Sequence, residues 1–264
     1  MAKTPAHRSE HLAIGIDVGG TGIKGGAVDV RTGELVTARH KETTPKGGSP
    51  VDIVAAVQQV RASILSELDM KARHLRVGVC LPSVVRHGVT STAANISPDW
   101  IGLDAAALFA DELGGTVSIM NDADAAGYAE VVYGAAKGRT DTVIVTTLGT
   151  GIGSALVHNG QLFPNTELGH LELDGHADYE RYASAKVRER EDLGFEDWAA
   201  RLVPYYRKLE QLFSPDLFVV SGGVSKRADE FLHFVDVTTP LVAAKLRNNA
   251  GIAGAARLAS DGWE

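Results

Sequence analysis

Short apolar runs that end in glycine alternate along this chain with longer stretches whose apolar residues recur every three or four positions. Leu12 to Asp17 is a run of the first kind and closes on Gly19-Gly20. Gly25 to Val30 and Leu35 to His40 follow at hairpin spacing, with Thr32-Gly33 as a turn, so three antiparallel strands are predicted. Val51 to Leu68 has the second rhythm, at Ile53, Val54, Val57, Val60, Ile64, Leu65 and Leu68. Ser49-Pro50 supplies a cap and a first-turn proline, and a helix is predicted there. Leu75 to Leu81 and Val117 to Met120 read as buried strands, with an alanine-rich helix from Asp104 to Leu113 between them and another from Asp122 to Tyr133 after them. A strand meander that gives way to alternating helices and strands describes an α/β domain with a mixed sheet.

The second half repeats the opening. Thr142 to Leu148 is a β-branched strand, Gly149-Thr150-Gly151-Ile152-Gly153 a glycine turn, and Ser154 to Val157 a returning strand before the turn His158-Asn159-Gly160. Arg181 to Phe213 is amphipathic and helical, with interruptions expected near Gly194 and Pro204. Leu217 to Val220 is a last strand, ending in Ser221-Gly222-Gly223, and Leu241 to Leu258 reads as a closing helix. Internal duplication is the economical account, and it predicts two related lobes facing each other across a cleft. The expected boundaries are a flexible start over 1–11, an N-terminal lobe over 12–121 and a C-terminal lobe over 122–264, with the last helix a candidate to return to the first lobe.

Composition narrows the partners. With 264 residues, 44% of them hydrophobic, the chain can bury a full core as one large domain or as two lobes. A formal net charge of -7 gives no general attraction for nucleic acid or an anionic membrane, so an anionic substrate needs a local site. The single cysteine, Cys80, excludes an intramolecular disulfide and any multi-cysteine zinc site, and fits a reducing compartment. Within Arg76-Val-Gly-Val-Cys-Leu81 it reads as a buried inert thiol rather than a nucleophile. No stretch approaches the ~18 to 20 apolar residues of a membrane helix, and Met1 to Glu10 is polar, so a cytoplasmic protein is expected.

Gly20-Thr-Gly22-Ile-Lys-Gly25 matches the dinucleotide fingerprint G-x-G-x-x-G, which would make this a hydride-transfer enzyme. That fingerprint needs a helix to start at the turn, whereas Gly25-Gly-Ala-Val-Asp-Val30 reads as a second strand. A Walker loop is absent from the sequence. What remains is a strand, Asp17, and a glycine hairpin carrying Thr21 and Lys24. Such a hairpin aims backbone N–H groups and a hydroxyl at phosphate oxygens, with Asp17 placed to hold Mg²⁺ directly or through water. The alternative is a tight turn whose glycines serve only positive φ. Three such turns, at Gly19, Gly149 and Gly222, each follow an apolar strand, and together they suit a chain of phosphates. Asn121-Asp122 follows a strand at the start of a helix, where the carboxylate is either an N-cap or a general base.

Five segments decide between these alternatives. Asp17-Val-Gly-Gly-Thr-Gly-Ile-Lys24, Asn121-Asp-Ala-Asp124, Leu148-Gly-Thr-Gly-Ile-Gly153, Glu167-Leu-Gly-His170 and Ser221-Gly-Gly223 resemble, in order and spacing, the motifs of the ROK family of repressors, open reading frames and sugar kinases. Within it the likeness is greatest to the members that phosphorylate glucose from inorganic polyphosphate. The resemblance implies an actin-like ATPase fold, a duplicated ribonuclease H-like α/β fold with two lobes and mixed sheets around a cleft. It implies phosphoryl transfer from polyphosphate and/or ATP to the 6-hydroxyl of glucose, with Mg²⁺ as cofactor and a homodimer as the assembly. Carried over by residue, Asp122 resembles the catalytic base, and Asn121, Glu167 and His170 the sugar-hydroxyl ligands. Glu180 resembles a further sugar ligand, and Asn95, in Asn95-Ile-Ser-Pro-Asp-Trp100, a weaker one. Asp17, Gly19, Gly20, Thr21, Lys24, Gly149, Thr150, Gly151, Gly222 and Gly223 are the implied phosphate-donor contacts.

Many members of the family hold zinc with the histidine of Glu-x-Gly-His and three downstream cysteines. Leu171-Glu-Leu-Asp-Gly-His-Ala-Asp178 has none, so no zinc site is expected. A long polyanion calls for a basic groove, for which Lys186, Arg188, Arg190, Arg201, Arg207 and Lys208 are candidates, although Glu189, Glu191 and Asp192 make a mixed solvated surface an equal alternative. Two other outcomes stay open: a strictly ATP-dependent kinase of another hexose, and a non-catalytic sugar-binding regulator. A DNA-binding repressor is disfavoured, since about ten residues precede Leu12.

Overall fold

The structure, a computed structural model, describes residues 11–69 and 75–263. The start of the chain expected to be flexible lies, up to residue 10, outside the described residues. The chain forms two compact units, Met1–Ala125 with Gly251–Glu264, and Ala126–Ala250.

The first unit holds β1 (Leu12–Val18), β2 (Gly22–Asp29), β3 (Glu34–Leu35), β4 (His40–Thr43), helix α1 (Pro50–Leu68), β5 (Arg76–Leu81), the small hairpin β6 (Val85–Arg86) and β7 (Val89–Thr90), helix α2 (Ala105–Leu113) and β8 (Val117–Asn121). Its main sheet has the order β3-β2-β1-β5-β8, with β4 also on β2. β1 runs antiparallel to β2 and parallel to β5, which is parallel to β8. Helix α1 forms where its cap and spacing predict it: Ser49 Oγ accepts the Asp52 N–H, and Ile53, Val57, Val60 and Ile64 are buried in the core. Asp104 caps α2 in the same way, accepting the Ala107 N–H at 2.9 Å.

The third predicted strand, Leu35 to His40, is instead split into β3 and β4. Between them Thr37 Oγ1 accepts the Ala27 N–H at 3.0 Å, and the Ala38 N–H donates to the Glu67 carboxylate at 2.9 Å. Side chains take the ladder positions that a continuous strand would fill with backbone.

Helix α3 (Asp122–Val132) leads into the second unit, which holds β9 (Thr142–Leu148), β10 (Ile152–His158), β11 (Gln161–Phe163), the short helices α4 (Glu180–Ala183) and α5 (Ala185–Arg190), the long α6 (Phe195–Phe213), β12 (Leu217–Ser221) and β13 (Leu241–Ala243). Its sheet, β11-β10-β9-β12-β13, repeats the first: an antiparallel hairpin on β9, then two parallel neighbours. Even the burial along β1 and β9 follows the same alternation, residue for residue. The duplication inferred from the glycine turns is therefore a duplication of sheet topology.

Two predictions fail here. Helix α6 does not break at Pro204. The carbonyl deprived of its donor belongs to Ala200, an exposed residue, where water can take the place of the missing N–H. The closing helix does not begin at Leu241, because Leu241, Val242 and Ala243 pair in parallel with Phe218, Val219 and Val220. A 3₁₀ turn at Arg247–Asn249 leads into α7 (Ala250–Ser260), which from Gly251 onward belongs to the first unit. Gly15 and Gly78 admit it: a Cβ on either would lie 1.8 Å from the Ile252 carbonyl oxygen or 2.0 Å from that of Ala255. Among the described residues no helix is long and apolar enough to cross a membrane.

Candidate active site

In the first unit, β1 delivers Asp17 opposite Lys24 on β2 and level with Cys80 on β5. Lys24 Nζ stands 3.8 Å from one carboxylate oxygen, and the Cys80 thiol donates to the other at 3.7 Å. Burial raises the pKa of Asp17 above its ordinary value, against the opposing pull of Lys24, the thiol and Arg39. Burial pushes the Cys80 thiol well up, with the charges of Asp17 and Asp122 adding to it. Cys80 is thus held as an inert protonated thiol, and two carboxylates act upon it. The turn after β1 is closed by the Gly19 N–H donating to the Gly22 carbonyl at 3.1 Å, leaving Gly20 and Thr21 exposed. Asn95, at φ 62, abuts that turn, its Cβ 3.1 Å from where a Cβ on Gly20 would lie.

The capping alternative for Asp122 is corrected by the structure. Asn121 is the residue that caps α3: its Oδ1 accepts the Ala123 N–H at 2.8 Å and the Asp124 N–H at 3.0 Å, while its Nδ2 donates to the Ser83 carbonyl at 3.1 Å. Two residues compete for one cap, and the buried amide wins because it can also satisfy a carbonyl across the loop. Asp122 is the first helical residue, half-buried, with Oδ1 within 2.8 Å of the Ala123 nitrogen. The positive end of the helix dipole favours a carboxylate there.

In the second unit the turn after β9 is closed by the Gly149 N–H donating to the Gly151 carbonyl at 3.0 Å. Glu180 Oε2 accepts the Ile152 N–H at 2.9 Å at the end of the same turn. Glu167 leads a single 3₁₀ turn, Leu168–His170, and its carboxylate lies 3.6 Å from His170 Nε2. His170 Nδ1 is 3.0 Å from Asp178 Oδ1, and Asp178 Oδ2 is bonded by Arg181 Nε at 2.9 Å. Burial lowers the pKa of His170, but the bond to Asp178 and the charges of Glu180, Asp178 and Glu167 outweigh it, and the net shift is upward. Burial raises that of Glu167, as does Glu180, with His170 opposing. His170, Asp178 and Glu180 each offer a ligand atom within 4.8 Å of the others. Within it His170 and Asp178 are bonded to each other, while Glu180 bonds the Ile152 N–H.

Gly222 sits at φ 89 and so close to β9 that a Cβ would lie 2.3 Å from the Leu148 carbonyl oxygen. A pocket of about 370 Å³ opens beside it, lined among others by Gly149, Thr150, Lys186, Arg188, Gly223 and Arg227. Of the cations proposed for a basic groove, only Lys186 and Arg188 line it. Arg190 and Arg201 both pair with Glu191, and Arg207 with Asp236; Arg190 and Arg207 belong to the mixed solvated surface, while Arg201 is half-buried over the Tyr182 ring. The sequence reading missed Asp178 and Arg227. The first gave a weak signal, an acid two positions before Glu180, and the second none, since Arg227 reaches the pocket from the 3₁₀ segment Gly223–Glu230, where it lies over the Phe195 ring.

A carboxylate at a helix start after a strand, glycine turns closing both hairpins and a Glu-Leu-Gly-His turn make up the equipment of an actin-like sugar kinase. The ROK family model matches residues 13–190, and the chain belongs to the ROK family. It is 44% identical to the polyphosphate glucokinase of Mycobacterium tuberculosis (strain H37Rv), over 97% of this chain and 94% of that protein. It superposes with a TM-score of 0.91 and 48% identity on the crystal structure of the inorganic polyphosphate/ATP-glucomannokinase of Arthrobacter sp. strain KM, covering 95% of this chain and 99% of the other. A ROK family glucokinase from Streptomyces griseus, solved with glucose and AMPPNP, matches at a TM-score of 0.81 and 26% identity over 95% and 99%.

Proposed function

We propose that this chain transfers a phosphoryl group from inorganic polyphosphate or ATP to the 6-hydroxyl of glucose, giving glucose 6-phosphate, with Asp122 as general base. The observation that carries the catalytic role is the division of labour at the start of α3. Capping falls to Asn121, and the neighbouring carboxylate is oriented without being the cap. The likeness to a polyphosphate glucokinase and a polyphosphate/ATP-glucomannokinase supports the donors and the acceptor.

In the reaction the sugar oxygen attacks the terminal phosphorus, the bridging P–O bond to the rest of the donor breaks, and the hydroxyl proton passes to Asp122. A hydroxyl is a poor nucleophile near neutral pH, and a positioned carboxylate contributes roughly 10²- to 10⁴-fold. Asn95, Asn121, Glu167, His170 and Glu180 are the proposed hydroxyl partners; a site built of such groups discriminates because each missing partner leaves a buried polar group unpaired, at about 1–3 kcal/mol. The glycine turns at Gly19, Gly149 and Gly222, with Thr21, Lys24 and Thr150, are the proposed donor contacts. The residues present suit Mg²⁺: Asp17, on β1 beside the Gly19 turn, would offer it a hard carboxylate oxygen directly or through water. When bound, Mg²⁺ would neutralise charge on the donor phosphates.

The experiment is glucose 6-phosphate formation from glucose and Mg²⁺ with ATP or polyphosphate. No product with either donor, across several hexoses, overturns the proposal. Asp122→Asn is expected to lose about 10²-fold or more in kcat while glucose still binds. Retained turnover would remove Asp122 from its role. A homodimer is the assembly the family likeness suggests, and light scattering on the purified protein tests it.

A further inference from the structure

Three charged side chains stand in one row across the sheet of the first unit. Asp17 of β1 is directly opposite Lys24 of β2, and Lys24 is directly opposite Lys41 of β4. Directly opposed residues of antiparallel strands project from the same face with Cβ atoms about 4.5–5.5 Å apart, and like charges so placed repel. One carboxylate, at 3.8 Å from Lys24, stands against two ammonium groups. Lys41 is exposed, and no carboxylate lies within ion-pair distance of it among the described residues.

The neighbouring acids do not restore the balance. Glu42 is opposite Ile23, a buried core residue, and so belongs to the other face. Glu67 is occupied by the Ala38 N–H at 2.9 Å and by His40 at 2.8 Å. Arg39 adds a further positive charge within reach of Asp17. The Lys41 side chain lies across the glycine turn: a Cβ on Gly22 would be 2.7 Å from Lys41 Cε and 3.6 Å from its Nζ. Strand pairing gains nothing from two opposed lysines, whereas an anion between them turns repulsion into two attractions.

We propose that Lys41, together with Lys24, forms a subsite for a condensed phosphate chain. The row runs from half-buried Asp17, through Lys24, to exposed Lys41 on the outer strand, so the chain lies along it from the sheet interior to the rim. This rests on the reading of the Gly19 turn as a donor site, and adds to it a residue no motif marks.

The test is calorimetric titration of the whole protein with tripolyphosphate, long-chain polyphosphate and ATP, for the parent, Lys41→Met, Lys41→Gln and Lys41→Arg. Lys41→Met and Lys41→Gln are expected to bind tripolyphosphate about tenfold more weakly, the loss of one charge-assisted contact, while Lys41→Arg retains most of the affinity. Without any anion, both neutral variants should melt no lower than the parent, since a repulsive pair has been removed; a purely structural lysine would show the opposite. An equal loss for ATP means the subsite reads the phosphate chain common to both donors, and a loss confined to inorganic chains means it reads phosphates beyond the nucleotide. Unchanged affinity for all three ligands in the neutral variants overturns the proposal and leaves the donor reading standing. A parent protein that binds none of the three overturns both.

Discussion

Glu180 rests its carboxylate on the α-carbon of Gly151: a methyl group there would lie 2.2 Å from Oε2, the oxygen that also accepts the Ile152 N–H. The glycine turn of the second unit and a proposed sugar ligand are therefore one mechanical element. Gly151→Ala must push Glu180 aside, and is expected to raise the KM for glucose about tenfold or more with the fold intact. Steady-state kinetics alongside circular dichroism checks this. A normal glucose KM would show that Glu180 does not hold the sugar.

Asn121 joins three backbone groups, so its loss should be felt in stability. Asn121→Ala removes the cap of α3 and the bond to Ser83, and is expected to cost about 2 kcal/mol. For a chain of this size that is a fall in Tm of roughly 4–8 °C. Asn121→Asp keeps the accepting oxygen and should lose less. Equal melting of both variants would contradict the capping role.

Asp17 carries a stability penalty whose sign follows from its raised pKa. The folded chain holds this proton more tightly than the unfolded chain, even against Lys24, so stability falls as pH rises from the ordinary value of 3.8 through the raised folded value. Above that window the penalty is complete. Asp17→Asn should therefore melt higher than the parent at neutral pH, converge with it in acid, and lose activity. Thermal melts from pH 3 to 8 measure it; a lower Tm at neutral pH would refute the assignment.

His170 has the opposite dependence. Its raised pKa means that protonation stabilises the fold fully below the ordinary 6.5, and that this contribution disappears as pH rises through the raised value. Asp178→Asn removes the hydrogen-bonded partner charge, so the imidazole should titrate lower than in the parent. An NMR titration of the ring protons reads this directly. An unmoved titration would mean that Asp178 does not set the charge of His170.

The parts of the fold that could be read from sequence are those whose signals are local. Strand β9 spans the predicted Thr142 to Leu148 because a β-branched run is bounded by a glycine turn, and α1 starts where Ser49 and Pro50 announce it. Two of the failures are long-range. Leu241 to Ala243 has an apolar pattern compatible with either helix or strand, and its pairing with Phe218 to Val220 decides the matter. Leu35 to His40 breaks because Glu67, on α1, supplies an acceptor. At the site, the order Asn121-Asp122 was legible, but which of the two caps α3 depends on the Ser83 carbonyl, 38 residues away.

The last helix also has a bearing on how the chain is made. Because α7 from Gly251 onward seats against Gly15 and Gly78, the first unit contains both early and late parts of the sequence, while the second is continuous. During synthesis, which proceeds from the N-terminus, the second unit can complete its sheet while the first waits for its final helix. The half that carries Asp17 and Asp122 is thus translated first and finished last.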